Sequence, residues 1–230
     1  EGGSIIQPEI GLENIINNNL SAKTKIGKIK ALYGDFQATS LAFAFSFNNE
    51  LYFPKDNQLK ECHIKTDKLY KIPFHIDISN KTYMPDANSK NKAGKNYETQ
   101  IDLVGLALVT EIHDSTKFYD SLSILASTYW AYTGDIGAYA EGCLGLAMKK
   151  NILNRISVLL QAELGCAGGG GVDIGQGFFS EYFLGLEYTI NKEWAMDFRY
   201  GVMSSLDKDK FQANSIMISI KKYADIFVAK

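Results

Sequence analysis

Ser180, Tyr182, Leu184, Leu186, Tyr188 and Ile190 alternate with Phe179, Glu181, Phe183, Gly185, Glu187 and Thr189. After Asn191-Lys192-Glu193 the pattern resumes: Trp194, Met196, Phe198, Tyr200 and Val202 alternate with Ala195, Asp197, Arg199, Gly201 and Met203. A period of two predicts β-strands. One face is greasy and aromatic, the other mostly small or charged. Strands of about ten residues built this way need apolar surroundings along their whole length. A membrane-spanning barrel supplies them, with lipid outside and a polar lumen inside.

The same period predicts strands at 8–16, 39–48, 67–78, 97–111, 118–132, 137–149, 154–165, 179–190, 194–204 and 210–222. Short additions at 26–33 and 50–53 would raise the count. Leu41, Phe43, Phe45 and Phe47 face away from Ala42, Ala44 and Ser46. Ile76 and Ile78 alternate with Pro73, His75, Asp77 and Ser79, and Pro73 requires a bulge or an unpaired position because it lacks a ladder donor. Leu122, Ile124, Ala126 and Trp130 oppose Ser121, Ser123, Ser127 and Tyr129. Segment 138–164 also fits a helix face, which competes with its strand reading.

Register ties the last three strands together. Pairing Ile190 with Trp194 puts Tyr188 opposite Met196, Leu186 opposite Phe198 and Leu184 opposite Tyr200. Glu187 then meets Asp197, and Gly185 meets Arg199, on the other face. Pairing Ser204 with Lys210 puts Phe198 opposite Ile216 and Met196 opposite Ile218. The expected fold is therefore all-β: an antiparallel up-and-down transmembrane barrel of about ten strands, within about eight to twelve. It is expected as one domain over 1–230, with long mobile loops near 17–38, 79–96 and 166–178.

Composition narrows the function classes. The formal charge of -2 gives no reason to expect nucleic acid. No apolar run approaches the roughly 20 residues of a membrane helix. The start Glu1-Gly2-Gly3-Ser4 lacks a basic, apolar leader and reads as a mature exported chain. Cys62, Cys143 and Cys166 form no metal-binding spacing; they read as small buried residues, with a Cys62–Cys166 or Cys62–Cys143 bridge as the alternative. No metal site and no cofactor is expected.

The polar face carries Glu141, Arg155, Glu163, Glu181, Glu187, Asp197 and Arg199. Inside a narrow barrel such groups must pair or meet lumen water, so they read as an internal ion-pair network. Tyr188, Trp194, Phe198 and Tyr200 read as lipid-facing aromatics; with Tyr132 and Tyr223, several of them suit interfacial girdles. His113-Asp114-Ser115 names triad residue types, but neighbours in sequence cannot form a triad with each other. His75 should face the lumen. Ala162 to Gly170, with Glu187 downstream, resembles the glycine loop of class I S-adenosylmethionine methyltransferases. The stretch from Val172 to Phe183 makes a poor helix, and too little chain remains for the rest of such a sheet.

Phe183-Leu184-Gly185-Leu186-Glu187-Tyr188, with Trp194-Ala195-Met196-Asp197-Phe198-Arg199-Tyr200-Gly201, resembles small bacterial outer-membrane β-barrel surface proteins. The resemblance implies a bacterial outer-membrane location and a surface-interaction role, as antigen or adhesin, or a small channel. It implies outer-membrane lipid as surroundings, host or envelope proteins as candidate loop partners, and no catalytic residues. The competing classes are an outer-membrane hydrolase acting on lipid or peptide and a soluble β-sandwich binding protein.

Overall fold

The computed structural model of the chain describes residues 5–17, 20–31, 37–47, 51–52, 69–113, 117–134, 136 and 138–229. Its contacts fall into two compact units, one of Glu1–Tyr70 with Phe227–Lys230, the other of Lys71–Ile226. The smaller unit holds β1 (Ile5–Ile6), β2 (Glu9–Asn17), β3 (Leu20–Ala31), β4 (Gln37–Phe47) and β5 (Leu51–Tyr52). The central strand β3 pairs antiparallel with β1, β2 and β4.

The larger unit is built from β6 (Leu69–Pro85), β7 (Ile101–His113), β8 (Ser121–Ala131), β9 (Ala140–Leu153), β10 (Ile156–Gly168), β11 (Phe178–Thr189), β12 (Trp194–Ser205) and β13 (Gln212–Ala229). Each pairs with its sequence neighbour, and β13 returns to β6 to close the ring. Among the described residues this is a closed antiparallel barrel of eight strands, not ten. The strands expected at 8–16 and 39–48 do form, but they bond to β3 in a sheet of their own. The β6–β13 seam closes the barrel without them. That closed ring also replaces the sandwich alternative.

Alternation sets the two faces. In β12 each outward residue from Trp194 to Val202 is followed by a buried one. Leu184, Leu186, Phe198 and Ile218 stand outward, while Phe183, Ala195, Met203 and Met217 are buried in the interior. A strand of about 12 residues, rising about 3.3 Å per residue and tilted about 40°, spans about 30 Å, the thickness of a hydrocarbon core. Trp130, Tyr132, Phe178 and Tyr182 are exposed at one end of this belt, and Tyr188 and Trp194 at the other. Tyr223 is an exception to the expected girdle: its hydroxyl turns inward to Glu187 at 3.1 Å.

The β11–β12 register is the expected one, from Phe179↔Ser205 to Thr189↔Ala195. Its tight link is held by Asn191, whose Oδ1 accepts from the amides of Glu193 at 2.8 Å and Trp194 at 3.0 Å. The β12–β13 register is shifted by two residues from expectation, with Phe198 opposite Ile218 and Met196 opposite Ile220. The turn takes in 206–210, with Asp209 at φ 59° and the Ser205 amide donating to the Phe211 carbonyl. A slip of two leaves every side chain on its expected face, so the alternation could not reveal it.

The competing helix reading and the glycine-loop resemblance both fall, and the loop expected at 79–96 is corrected. Segment 138–164 is the β9–β10 hairpin and not a helix. No helix follows the glycine run at 168–171, so the nucleotide-loop geometry is absent. Strand β6 extends to Pro85, which converts the first part of the loop expected at 79–96 into barrel wall. Pro73 costs no bond in the β6–β7 ladder, which begins at Phe74↔Thr110.

Leu184 lies outward near the middle of β11. Replacing it with arginine is expected to cost about 2–4 kcal/mol in a bilayer, the cost of a cation at the midplane of a barrel's lipid face. Reversible unfolding from liposomes reads that loss directly.

Candidate functional site

The barrel interior is the candidate site, and small residues make room for it. Gly185 stands directly opposite Arg199, and a Cβ there would meet the Arg199 Cγ at 2.7 Å. Gly105 stands opposite Tyr129, where a Cβ would run into the ring. An eight-stranded barrel has room for side chains to fill its interior, and pairing glycine with a large neighbour is how they fit.

Three polar layers follow one another down the lumen. In the first, Lys81 Nζ donates to Glu141 at 2.6 Å and to Glu181 at 3.0 Å. The hydroxyls of Tyr83 and Tyr139 donate to the other Glu141 oxygen at 2.8 and 2.7 Å. The Lys81 ammonium also sits 3.6 Å from the centre of the Tyr129 ring, a cation–π contact. In the second layer Arg199 reaches Asp77 at 2.9 Å, Asp197 at 2.7 Å and the Gln161 carbonyl oxygen at 2.6 Å. Glu163 accepts from Gln161 at 2.8 Å and from Ser127 at 3.2 Å. In the third layer Lys221 lies 2.7 Å from Glu187 and 3.0 Å from Asp197, while Lys149 lies 3.5 Å from Glu187. His75 is buried here, with Nε2 3.3 Å from Asp77 and its ring against Tyr223.

Of the residues expected in the lumen, Glu141, Glu163, Glu181, Glu187, Asp197 and Arg199 are buried there. Arg155 is not. It occupies the exposed two-residue turn between β9 and β10, 3.4 Å from the Tyr188 hydroxyl. Tyr188, Trp194, Phe198 and Tyr200 all stand on the outer surface. Lys81, Asp77, Gln161 and Lys221, which complete the network, were not in the expected set. Lys81 lies beyond the strand expected to end at Ile78, but it keeps the parity of His75, Asp77 and Ser79. Cys143 points inward, Cys166 outward, and both are free. Cys62, Asp114 and Ser115 lie outside the described residues, as does the His113 side chain.

One end of the lumen is covered by a cap that the pattern did not predict. Val172 and Ile174, from the glycine-rich link after β10, are buried with Ile136, Phe211, Tyr83, Phe179 and Met203. The links over this end are tied together: Asn91 bridges Val172, the Lys92 amide donates to Gly171, and the Asp86 amide donates to Gln212. Lys210 Nζ donates to Asp173 at 2.8 Å. That bond, with the Gly175 amide, holds the Asp173 carboxyl below its ordinary value. The links expected to be mobile near 79–96 and 166–178 are thus part of a packed cap.

At the opposite end His75, Glu111, Ser123, Lys149, Glu187 and Lys221 border a cavity of about 30 Å³. A buried water needs roughly 10–15 Å³, so this space suits about two waters. Among the described residues no cluster of histidine, cysteine and carboxylates suits a metal ion.

No family model matches the chain. No curated protein matches its sequence. Solved structures with a similar course include a de novo designed transmembrane β-barrel, at 10% identity and a TM-score of 0.40, covering 66% of this chain and 95% of that one. The translocator domain of the autotransporter NalP from Neisseria meningitidis aligns at 11% identity and a TM-score of 0.32, covering 95% and 80% of the two chains. A loop-deletion mutant of OmpT, an outer membrane protein of Vibrio cholerae, aligns at 11% and 0.30, covering 96% and 91%. Likeness at this level carries no functional weight; the barrel rests on its own closed strand order.

Replacing Lys81 with methionine leaves Glu141 and Glu181 facing each other without their shared cation. The expected loss is about 3–5 kcal/mol of unfolding free energy, that of a buried pair missing one partner. Urea unfolding in detergent micelles, followed by tryptophan fluorescence, measures it.

Proposed function

We propose that this chain is a bacterial outer-membrane β-barrel that acts through its capped surface and does not conduct solutes. The observation that carries this reading is the filled interior: three layers, each with a buried cation paired to carboxylates, lie beneath an apolar cap. Only about 30 Å³ remains in the cavity at the other end. A solute path would have to break several ion pairs at once, each in surroundings where an unpaired charge is costly.

The outer belt and the two bands of aromatics support an outer-membrane location, with lipid as the direct surroundings. The capped end supports the interaction role. Its links are bonded to one another, so Lys90, Lys92, Lys95 and Glu98 are exposed on a preorganised surface. Preorganisation lowers the ordering cost of binding. Host or envelope proteins are the partners this surface would meet.

Planar-bilayer recording with the refolded full chain tests the reading. The expected result is insertion, confirmed by protease protection, with no steady conductance above that of the bare bilayer. A steady, voltage-independent conductance overturns the sealed-lumen reading and restores the small channel.

A further inference from the structure

The sheet of β1 to β4 uses the same inside–outside code as the barrel, and the described apolar residues of β2 and β3 on its greasy face are exposed. Backbone pairing sets Ile10 beside Ile26 and Leu41, and Leu12 beside Thr24 and Phe43. Ile10 is 80% exposed, Leu12 81% and Ile26 57%. The opposite face carries paired charges beside an exposed Ile15 near one end. Lys23 lies 3.3 Å from Glu13, Lys25 lies 3.3 Å from Glu9, and the Ser21 hydroxyl donates to Glu13 at 2.6 Å. A contiguous exposed apolar face rimmed by polar residues marks a contact surface.

Charge says what covers it. Lys28 and Lys30 follow Ile26 on the apolar side of β3, and both are exposed at one end of that face. Cations beside an apolar face are the arrangement that meets anionic headgroups while the apolar residues enter the acyl region. A protein partner packing on this face would have to accommodate those two ammonium groups at its rim. A lipid surface satisfies both halves at once. β2 forms an edge of its sheet. Unpaired edge groups are costly in hydrocarbon, so the contact is shallow, where headgroups and water still reach the edge.

We infer that the N-terminal sheet is a second membrane-contacting element, which lays its Ile10, Leu12 and Ile26 face on an anionic bilayer surface with Lys28 and Lys30 at the headgroups. This rests on the membrane reading of the chain but not on the sealed lumen.

The test is spin labelling of the full chain in vesicles containing phosphatidylglycerol. Single cysteines replace Leu12, Glu13, Ile26 and Leu184 in a background with Cys62, Cys143 and Cys166 replaced by alanine. Collision with oxygen and with a water-soluble nickel chelate is read at each site. Leu12 and Ile26 are expected to favour oxygen over nickel several-fold more than Glu13, at a depth shallower than Leu184. Charge reversal, Lys28→Glu with Lys30→Glu, is expected to return Leu12 to the Glu13 value.

Nickel access at Leu12 equal to that at Glu13 overturns the inference. So does shielding from both reagents, which would mean a protein cover such as a second copy. A depth equal to that of Leu184 overturns it too, because the sheet would then span the membrane with paired edges. Loss of the lipid signal at Leu184 instead overturns the barrel's own membrane reading, so the two failures are distinguishable. Should the cysteine-free background not fold, Ile26→Trp with Trp130→Phe and Trp194→Phe gives the same reading, through quenching by lipids brominated at different depths.

Discussion

Arg199 is the group on which the interior turns. Its guanidinium joins Asp77 of β6 to Asp197 of its own strand and to Gln161 of β10. It therefore connects walls from opposite parts of the ring. A closed barrel in lipid must place its non-lipid face somewhere, and at eight strands that place is too narrow for bulk water to solvate six buried carboxyl groups. The charges must satisfy one another. Lys81 and Lys221 repeat the Arg199 arrangement above and below it, each between two carboxylates.

The rest of the interior obeys that constraint. Arg199 and Tyr129 fit because glycine stands directly across the strand pair from each. The apolar cap lies over the end of the lumen where Glu141 and Glu181 are buried. Outside, the demands are looser. Any large apolar residue at the correct parity can meet lipid, which explains the mixture of Leu, Ile, Met and aromatics along β11 and β12.

What could be read from the chain depended on whether a property survives the period of two. The outward face of β11 and β12 was legible, and so was the inward position of Glu187, Asp197 and Arg199, because parity alone decides them. The β12–β13 register was not, because a shift of two leaves parity unchanged. Arg155 was misplaced for a related reason: a residue in a two-residue turn carries the same parity as the strands it joins. Lys81 was lost to an Asn- and Lys-rich stretch that looked like a loop but continues β6. The cap was invisible, since Val172 and Ile174 sit among glycines with no periodicity and are buried only once the ring has closed. The separation of β1 to β4 from the ring was likewise beyond the pattern, because their faces obey the same code as the barrel's.

The three buried lumen cations are each held by carboxylates, and one comparison measures that directly. It sets Arg199→Met alone against Arg199→Met combined with Asp77→Asn and Asp197→Asn, each unfolded reversibly in detergent. If the Arg199 ion pairs carry the interior, the single replacement destabilises by about 3–5 kcal/mol, and the triple recovers most of that loss because both carboxylates that faced the guanidinium are now neutral. A single variant as stable as the parent, or a triple no better than the single, would contradict a lumen held by its ion pairs.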